Sequence, residues 1–291
     1  MTGVLIVGCG DIGRRVAALY QSAGVPVTGL VRSAESAAAL AAAGIEPLRC
    51  DLDAEVPAAL PAAGLWFWFA PPPGRGTTDT RLRRFLAGVR TAPRRVLLIS
   101  TTGVYGDSGG AWIDESAPVA PGSDRGRRRL DAERTLTAWA AARGVETVVL
   151  RVPGIYGPGR LPLARLRAGT PLPQPSEAPW TNRIHQDDLA TACQVAMAHA
   201  APGSVINACD GHPGNMTEYF LRIADHFGIP HPPLLSRAEA ERVLSPGMLS
   251  YLRESRRICN DRLLALPGMR LRYPDLAAGL AAIDPRAGAL A

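Results

Sequence analysis

Residues 8–13 read Gly8-Cys9-Gly10-Asp11-Ile12-Gly13, a G-x-G-x-x-G spacing between an apolar run and an alanine-rich, helix-forming stretch. In that setting the spacing binds the pyrophosphate of a dinucleotide. Gly8 makes a tight turn, Gly10 lets phosphate approach the backbone, and Gly13 packs helix on strand. The helix start, from Asp11 and Ile12, turns free N–H groups toward the anion. An ordinary glycine-rich turn is the alternative. Cys9 is either a small filler or a thiol whose pKa the helix start lowers. The second apolar run ends in Val31-Arg32-Ser33, which offers no carboxylate to the ribose 2′-hydroxyl of NAD. Arg32 suits a 2′-phosphate, with Ser33 as a second donor, so NADP(H) is favoured over NAD(H) unless Arg32 simply faces solvent. Asp51 and Leu52, placed after the third strand of the expected sheet, border the adenine or form a plain loop. Ala70, Pro71 and Pro72 make a rigid loop at the end of the fourth strand, 65–70, that lines the cofactor, and Pro153 completes this set.

Other chemistries are excluded by composition. All 32 residues in the Lys+Arg count are arginines, so Schiff-base and lysine general-base mechanisms are ruled out. The net charge is +6, and arginine clusters at 83–84, 94–95, 127–129 and 256–257. These clusters lack the interleaved aromatics on which single-stranded nucleic acid stacks, so no nucleic-acid partner is expected. The five cysteines, Cys9, Cys50, Cys193, Cys209 and Cys259, form no C-x-x-C pair and no zinc spacing with histidine. They read as reduced thiols of a cytoplasmic protein without a metal. No apolar run approaches the roughly 18 residues of a membrane span, and the N-terminus has no basic leader, so no membrane is expected.

The elements that must position these residues alternate along the chain. Strand-like runs occupy 4–8, 25–31, 65–70, 96–100 and 145–152, short and continuously apolar as strands buried on both faces are. Helix formers lie between them at 13–23, 35–44, 80–92 and 127–143. This order implies an α/β fold, a Rossmann-type doubly wound parallel sheet. The dinucleotide-binding domain is placed at 1–152. Residues 153–291, richer in Pro and Gly, form a smaller C-terminal substrate region partly interleaved with the sheet, helical near 187–200, 217–227 and 237–244.

With these landmarks the chain resembles the short-chain dehydrogenase/reductase superfamily, in its extended or atypical branch of NAD-dependent epimerases/dehydratases. The resemblance rests on GCGDIG, ISTTGVYG (99–106), the helix ending DAERTL, LRVPGIYGPGR (150–160), RIHQDDLA (183–190) and the late SRRICNDRLL, and it covers nearly the whole chain. It implies a Ser or Thr after the fifth strand and a Tyr-x-x-x-Lys pair on the next helix. The hydroxyl falls at Thr101, with Thr102 adjacent. Counting back from Glu133 puts the lysine position at Arg129 and the tyrosine position at Arg125. Tyr-x-x-x-Lys thus becomes Arg-x-x-x-Arg. Arginine stays protonated, so Arg125 cannot shuttle a proton as tyrosine does, though it can bind an anion or steady an oxyanion, and Arg129 can hydrogen-bond the ribose. The alternative is a solvated helix face.

Tyr105, Tyr156, Trp180 and Arg183 are assigned to the substrate cleft with Thr102, the tyrosines and Trp180 having core packing as their alternative. Asp114 and Glu115 are candidate carboxylates at its mouth. His185 reads as structural, with Asp187 as the cap of the following helix. Thr102-Gly103 stands where sugar-nucleotide dehydratases carry Asp-Glu, and Val152-Pro153-Gly154 where the epimerases carry Asn, so the sequence does not favour a nucleotide sugar. The expected function is an epimerase/dehydratase-like oxidoreductase on a small molecule. A catalytically silent NADP(H) redox sensor is the alternative. A homodimer through 80–91 and 127–141 is expected, with Leu82, Phe85, Leu86, Leu130, Leu136 and Trp139 either at its interface or against the sheet.

Overall fold

The computed structural model describes residues 3–57, 59–244, 249 and 252–286. Seven strands make the central sheet: β1 Gly3–Val7, β2 Val27–Val31, β3 Glu46–Arg49, β4 Ala63–Trp68, β5 Arg95–Thr101, β6 Glu146–Val152 and β7 Ser204–Asn207. All neighbours pair in parallel, in the order β7-β6-β5-β4-β1-β2-β3. The chain begins at the centre, steps out to β3 and returns to β4 on the other side of β1. A crevice therefore opens where the β1 and β4 ends diverge, the place where such sheets hold ligands.

The continuous apolar runs become strands because both faces of the sheet are covered. Side chains alternate across it. Val4 and Ile6 face one helix layer with Phe67, Leu97, Val148 and Leu150, whereas Leu5 and Val7 face the other with Trp66, Trp68, Val96 and Leu98. The first layer contains α1, Asp11–Ser22, and α5, Gln186–His199. The second contains α3, Thr80–Gly88, and α4, Asp124–Ala141. Between them in sequence, α2 spans Ala34–Ala42. Each large apolar side chain so buried contributes roughly 1.5–3 kcal/mol.

Two expectations change here. Leu82, Phe85, Leu86, Leu136 and Trp139 are all buried against the sheet, and Leu130 packs beside Val104 and Tyr105, so none forms an outward contact surface. The helix at 80 stops at Gly88, where Val56 packs close, rather than running to 92. A Cβ at Gly88 would lie 2.6 Å from Val56 Cγ1, and Val89 is already extended.

A second apolar cluster gathers Leu166, Leu172, Met216, Phe220, Ile223 and Ala240 beyond the sheet. Its main helix, α6, runs Met216–Phe227, capped by the Asn215 side chain and closed by left-handed Gly228. The C-terminal half is nonetheless tied to the sheet: β7 pairs with β6, and Arg257–Ile258 pairs with Trp112–Ile113.

Candidate functional site

Two cavities open on the carboxyl ends of the strands. The smaller, about 240 Å³, lies at the β1/β4 crevice and is lined by Gly8, Val31, Arg32, Asp51, Leu52, Ala70 and Pro71 among others. Gly8 has φ +85°, and a Cβ there would come within 2.4 Å of the Ala70 nitrogen, so no other residue lets the two strand ends meet. A Cβ at Gly10 would meet nothing within 4 Å, so open space lies directly over the α1 N-terminus. At Gly13 the nearest atoms are Ile6 Cγ2 at 3.1 Å and Cys9 Sγ at 3.2 Å, the close helix-on-strand contact. Glycine at a helix start with open space above it, and a cation on the rim, fit a dinucleotide.

The structure settles several readings that the sequence left open in this region and adds one residue that it did not show. Ser33 caps α2: its hydroxyl accepts from Ser36 N at 3.1 Å and donates to Ser36 Oγ at 2.9 Å. Cys9 is no reactive thiol, because burial pushes its pKa up to about 12. Ile12 is buried in the core, leaving only its backbone to a ligand. Arg81 was not anticipated. It grips the Asp53 carboxylate at 2.6 and 2.5 Å and donates to Pro71 O at 2.8 Å, bridging two loops of the cavity. That hydrogen bonding holds the Asp53 carboxyl below the usual range.

The larger cleft, about 480 Å³, begins where β5 ends. Thr101 Oγ1 accepts from Gly103 N at 3.2 Å and so starts a short turn over Thr102–Val104. Gly126, in the first turn of α4, presses on that turn; a Cβ there would stand 2.7 Å from Gly103 O. This contact, with the Ser123 cap, sets the start of α4 so that Arg125 lines the cleft beside Thr101 and Thr102. One turn later Arg129 donates to Ala70 O at 3.3 Å, at the wall of the smaller cavity. Burial lowers the Arg129 pKa, with Asp79 opposing. Pro153, Trp180 and Arg183 also line the cleft.

Tyr105 and Tyr156 do not. Tyr105 is buried; its hydroxyl donates to Asn207 Oδ1 at 2.8 Å and its ring lies 4.8 Å from the Arg151 guanidinium. Tyr156 is fully buried and donates to Asp275 O at 2.9 Å. Packing therefore claims both rings. Asp114 turns onto Ser116 at the surface, and Glu115 is buried, accepting from Asn207 N at 2.7 Å; neither reaches the cleft lining. His185, not Asp187, caps α5: its Nδ1 accepts from Asp187 N at 3.2 Å, while Asp187 pairs with Arg15.

Residues that the sequence did not reveal complete the cleft, notably Arg160, Arg165, Asn182, Tyr219, Glu254 and Arg256. Arg160 also reaches Asp11 of the glycine loop at 2.8 Å, joining the two cavities. Behind Thr101 runs a buried network in which Ser100 donates to Glu133, and Arg151 grips Glu133 at 2.8 and 3.2 Å.

The family model for the NAD dependent epimerase/dehydratase family matches residues 81–209. A solved structure of a functionally unknown protein from Silicibacter pomeroyi shares 32% identity, with TM-score 0.81, over 97% of this chain and 98% of that one. This chain carries the domain of the NAD-dependent epimerase/dehydratase family. A Methylobacillus flagellatus structure placed among the NAD-dependent epimerases/dehydratases agrees, at 29% identity, TM-score 0.70 and 97% coverage of both chains. A curated Streptomyces protein named 3-diazoavenalumate denitrifying reductase is 28% identical over 196 residues, and the match spans 64% of each chain. In open parallel sheets ligands bind where the strand order reverses, which here is the β1/β4 crevice. Among the described residues no helix is long and apolar enough to cross a membrane.

Proposed function

We propose that this protein is an NAD(P)-dependent oxidoreductase that transfers hydride to a small molecule held in the cleft before Thr101, with NADP(H) as its preferred cofactor. One observation carries the reading. Helix α4 sets Arg129 against Ala70 O at the wall of the smaller cavity and Arg125 in the larger cleft one turn away, so a single rigid element touches both. The name of the Streptomyces reductase supports reduction as the net chemistry.

Residues 8–13 receive the pyrophosphate and Arg32 the 2′-phosphate, since no carboxylate follows β2. When bound, the dinucleotide supplies the hydride. Arg129 donates to its ribose hydroxyls, and the Thr101 hydroxyl orients the substrate. Arg125 keeps its proton throughout and acts by charge, holding an anionic group or steadying negative charge that develops on oxygen. In this reading the proton the product needs comes from water or from the substrate, since the chain contains no lysine to supply it and Tyr105 and Tyr156 are buried away from the cleft.

The test is NADPH consumption against a panel of carbonyl and unsaturated acids, followed by Arg125 variants on the best substrate. Arg125→Ala is expected to lower kcat/KM by about 100-fold, with Arg125→Lys recovering part of it. Unchanged turnover in Arg125→Ala, or no turnover on any substrate, contradicts the reading.

A further inference from the structure

Among the described residues the larger cleft is lined by five arginines, Arg125, Arg160, Arg165, Arg183 and Arg256, and by one carboxylate, Glu254. Glu254 is matched to Arg256 at 2.9 Å. Aromatic faces hold other guanidinium groups in place: Arg183 lies 4.1 Å from the Tyr219 ring centroid and Arg165 lies 5.2 Å from that of Phe220. Trp180, on the rim, is 39% exposed and carries Arg257 at 5.2 Å. A guanidinium fixed by a ring keeps its full charge and its planar edge of donors. Arg183 is further ordered by donating to Asn182 O at 2.7 Å and by lying in the space left by Gly154, where a Cβ would be 3.1 Å from its Nη1. Part of the remaining wall is apolar, with Ile155, Pro162, Met216 and Phe220, beside the polar Thr101, Thr102, Thr181 and Asn182.

We infer that the substrate of this site is a planar organic acid, an aromatic or conjugated carboxylate. Its carboxylate is taken by the Arg183 and Arg256 guanidinium groups, and its ring packs against Trp180 and Phe220. The inference rests on the oxidoreductase reading only in calling this ligand the substrate. A prearranged planar fork matches the two oxygens of a carboxylate, and the excess of positive charge offsets the cost of stripping water from it. The apolar part of the wall, in turn, rewards a ring. Arg256 is held for this by donating to Gly106 O at 2.5 Å.

The experiment is calorimetric titration of the whole protein with cinnamate, with its uncharged amide, and with uridine diphosphate, alongside a separate NADPH titration. Cinnamate is expected to bind at least about tenfold more tightly than the amide, with affinity falling as salt rises. Arg183→Gln is expected to lose about tenfold or more for cinnamate, with unchanged NADPH affinity and thermal midpoint. Arg256→Gln serves as an independent variant should Arg183→Gln fold poorly. Equal binding of acid and amide, binding untouched by both variants, or uridine diphosphate outcompeting cinnamate overturns the inference. NADPH binding without cinnamate binding sinks this inference alone, whereas cinnamate binding without NADPH binding supports the acid site and sinks the oxidoreductase reading.

Discussion

Asp210 shows at the scale of one residue how burial sets chemistry in this molecule. Its carboxyl is 4% exposed and burial raises its pKa to about 7, against a backbone hydrogen bond from His212 and the charge of Arg183 that pull it down. An unfolded aspartate ionises near about 3.9. Between about pH 4 and pH 7 the unfolded chain therefore releases this proton first, so the Asp210 contribution to stability falls as pH rises through that window and is constant above it. Asp210→Asn keeps an acceptor for His212 N and removes the ionisation. The variant is expected to be more stable than the parent at pH 8, by up to roughly a few kcal/mol, and equal to it near pH 4. Thermal midpoints of both across that range check this. The same principle removes Cys9 from redox chemistry, since the core around it outweighs the helix start and Arg14. Sequence shows the neighbours of Cys9 along the chain but not the Ile6, Gly13 and Gly29 that close over it.

At the scale of one element, α4 decides what the site can do. Its inner face is fixed by Glu133, 6% exposed, which receives Arg151 from β6 and Ser100 from β5. Removing this carboxylate leaves the Arg151 guanidinium buried without its partner. Glu133→Ala is expected to cost about 3–5 kcal/mol in urea unfolding, and Glu133→Gln less, because the amide still accepts from Arg151 and Ser100. A cost within error of zero for Glu133→Ala shows that the helix is held by its apolar face alone. The helix itself was legible in DRGRRRLDAERTL, as were Thr101 and Arg125 as neighbours, because they lie on the element and the strand end that the family pattern orders. Tyr105 and Tyr156 take their core-packing alternative for a physical reason: each hydroxyl is drawn to a partner distant in sequence, Asn207 and Asp275. Arg256 escaped notice in the same way, since it reaches the cleft only because Arg257–Ile258 pairs with Trp112–Ile113.

Across the whole molecule, five of the seven sheet strands follow from short apolar runs closed by glycine, proline or polar residues. The third, Glu46–Arg49, is half-exposed at the sheet edge, and the seventh, Ser204–Asn207, is four residues long with little apolar contrast, so neither carries a strong pattern. The order β7-β6-β5-β4-β1-β2-β3 places the glycine loop, Arg32 and Asp51 around one crevice, although they are separated by whole strand-helix units in the chain. Every functional step described above depends on a nicotinamide dinucleotide lying there. The most direct measurement is a fluorescence titration of the protein, of Gly10→Ala and of Arg32→Ala with NADPH and NADH. The structure has room for a methyl group at Gly10, so that variant should fold normally and obstruct only a ligand. The account expects NADPH to bind more tightly than NADH, Arg32→Ala to cost about tenfold or more for NADPH and little for NADH, and Gly10→Ala to lose both at an unchanged thermal midpoint. Failure of either nucleotide to bind the parent, or unimpaired binding to Gly10→Ala, contradicts the account at its root.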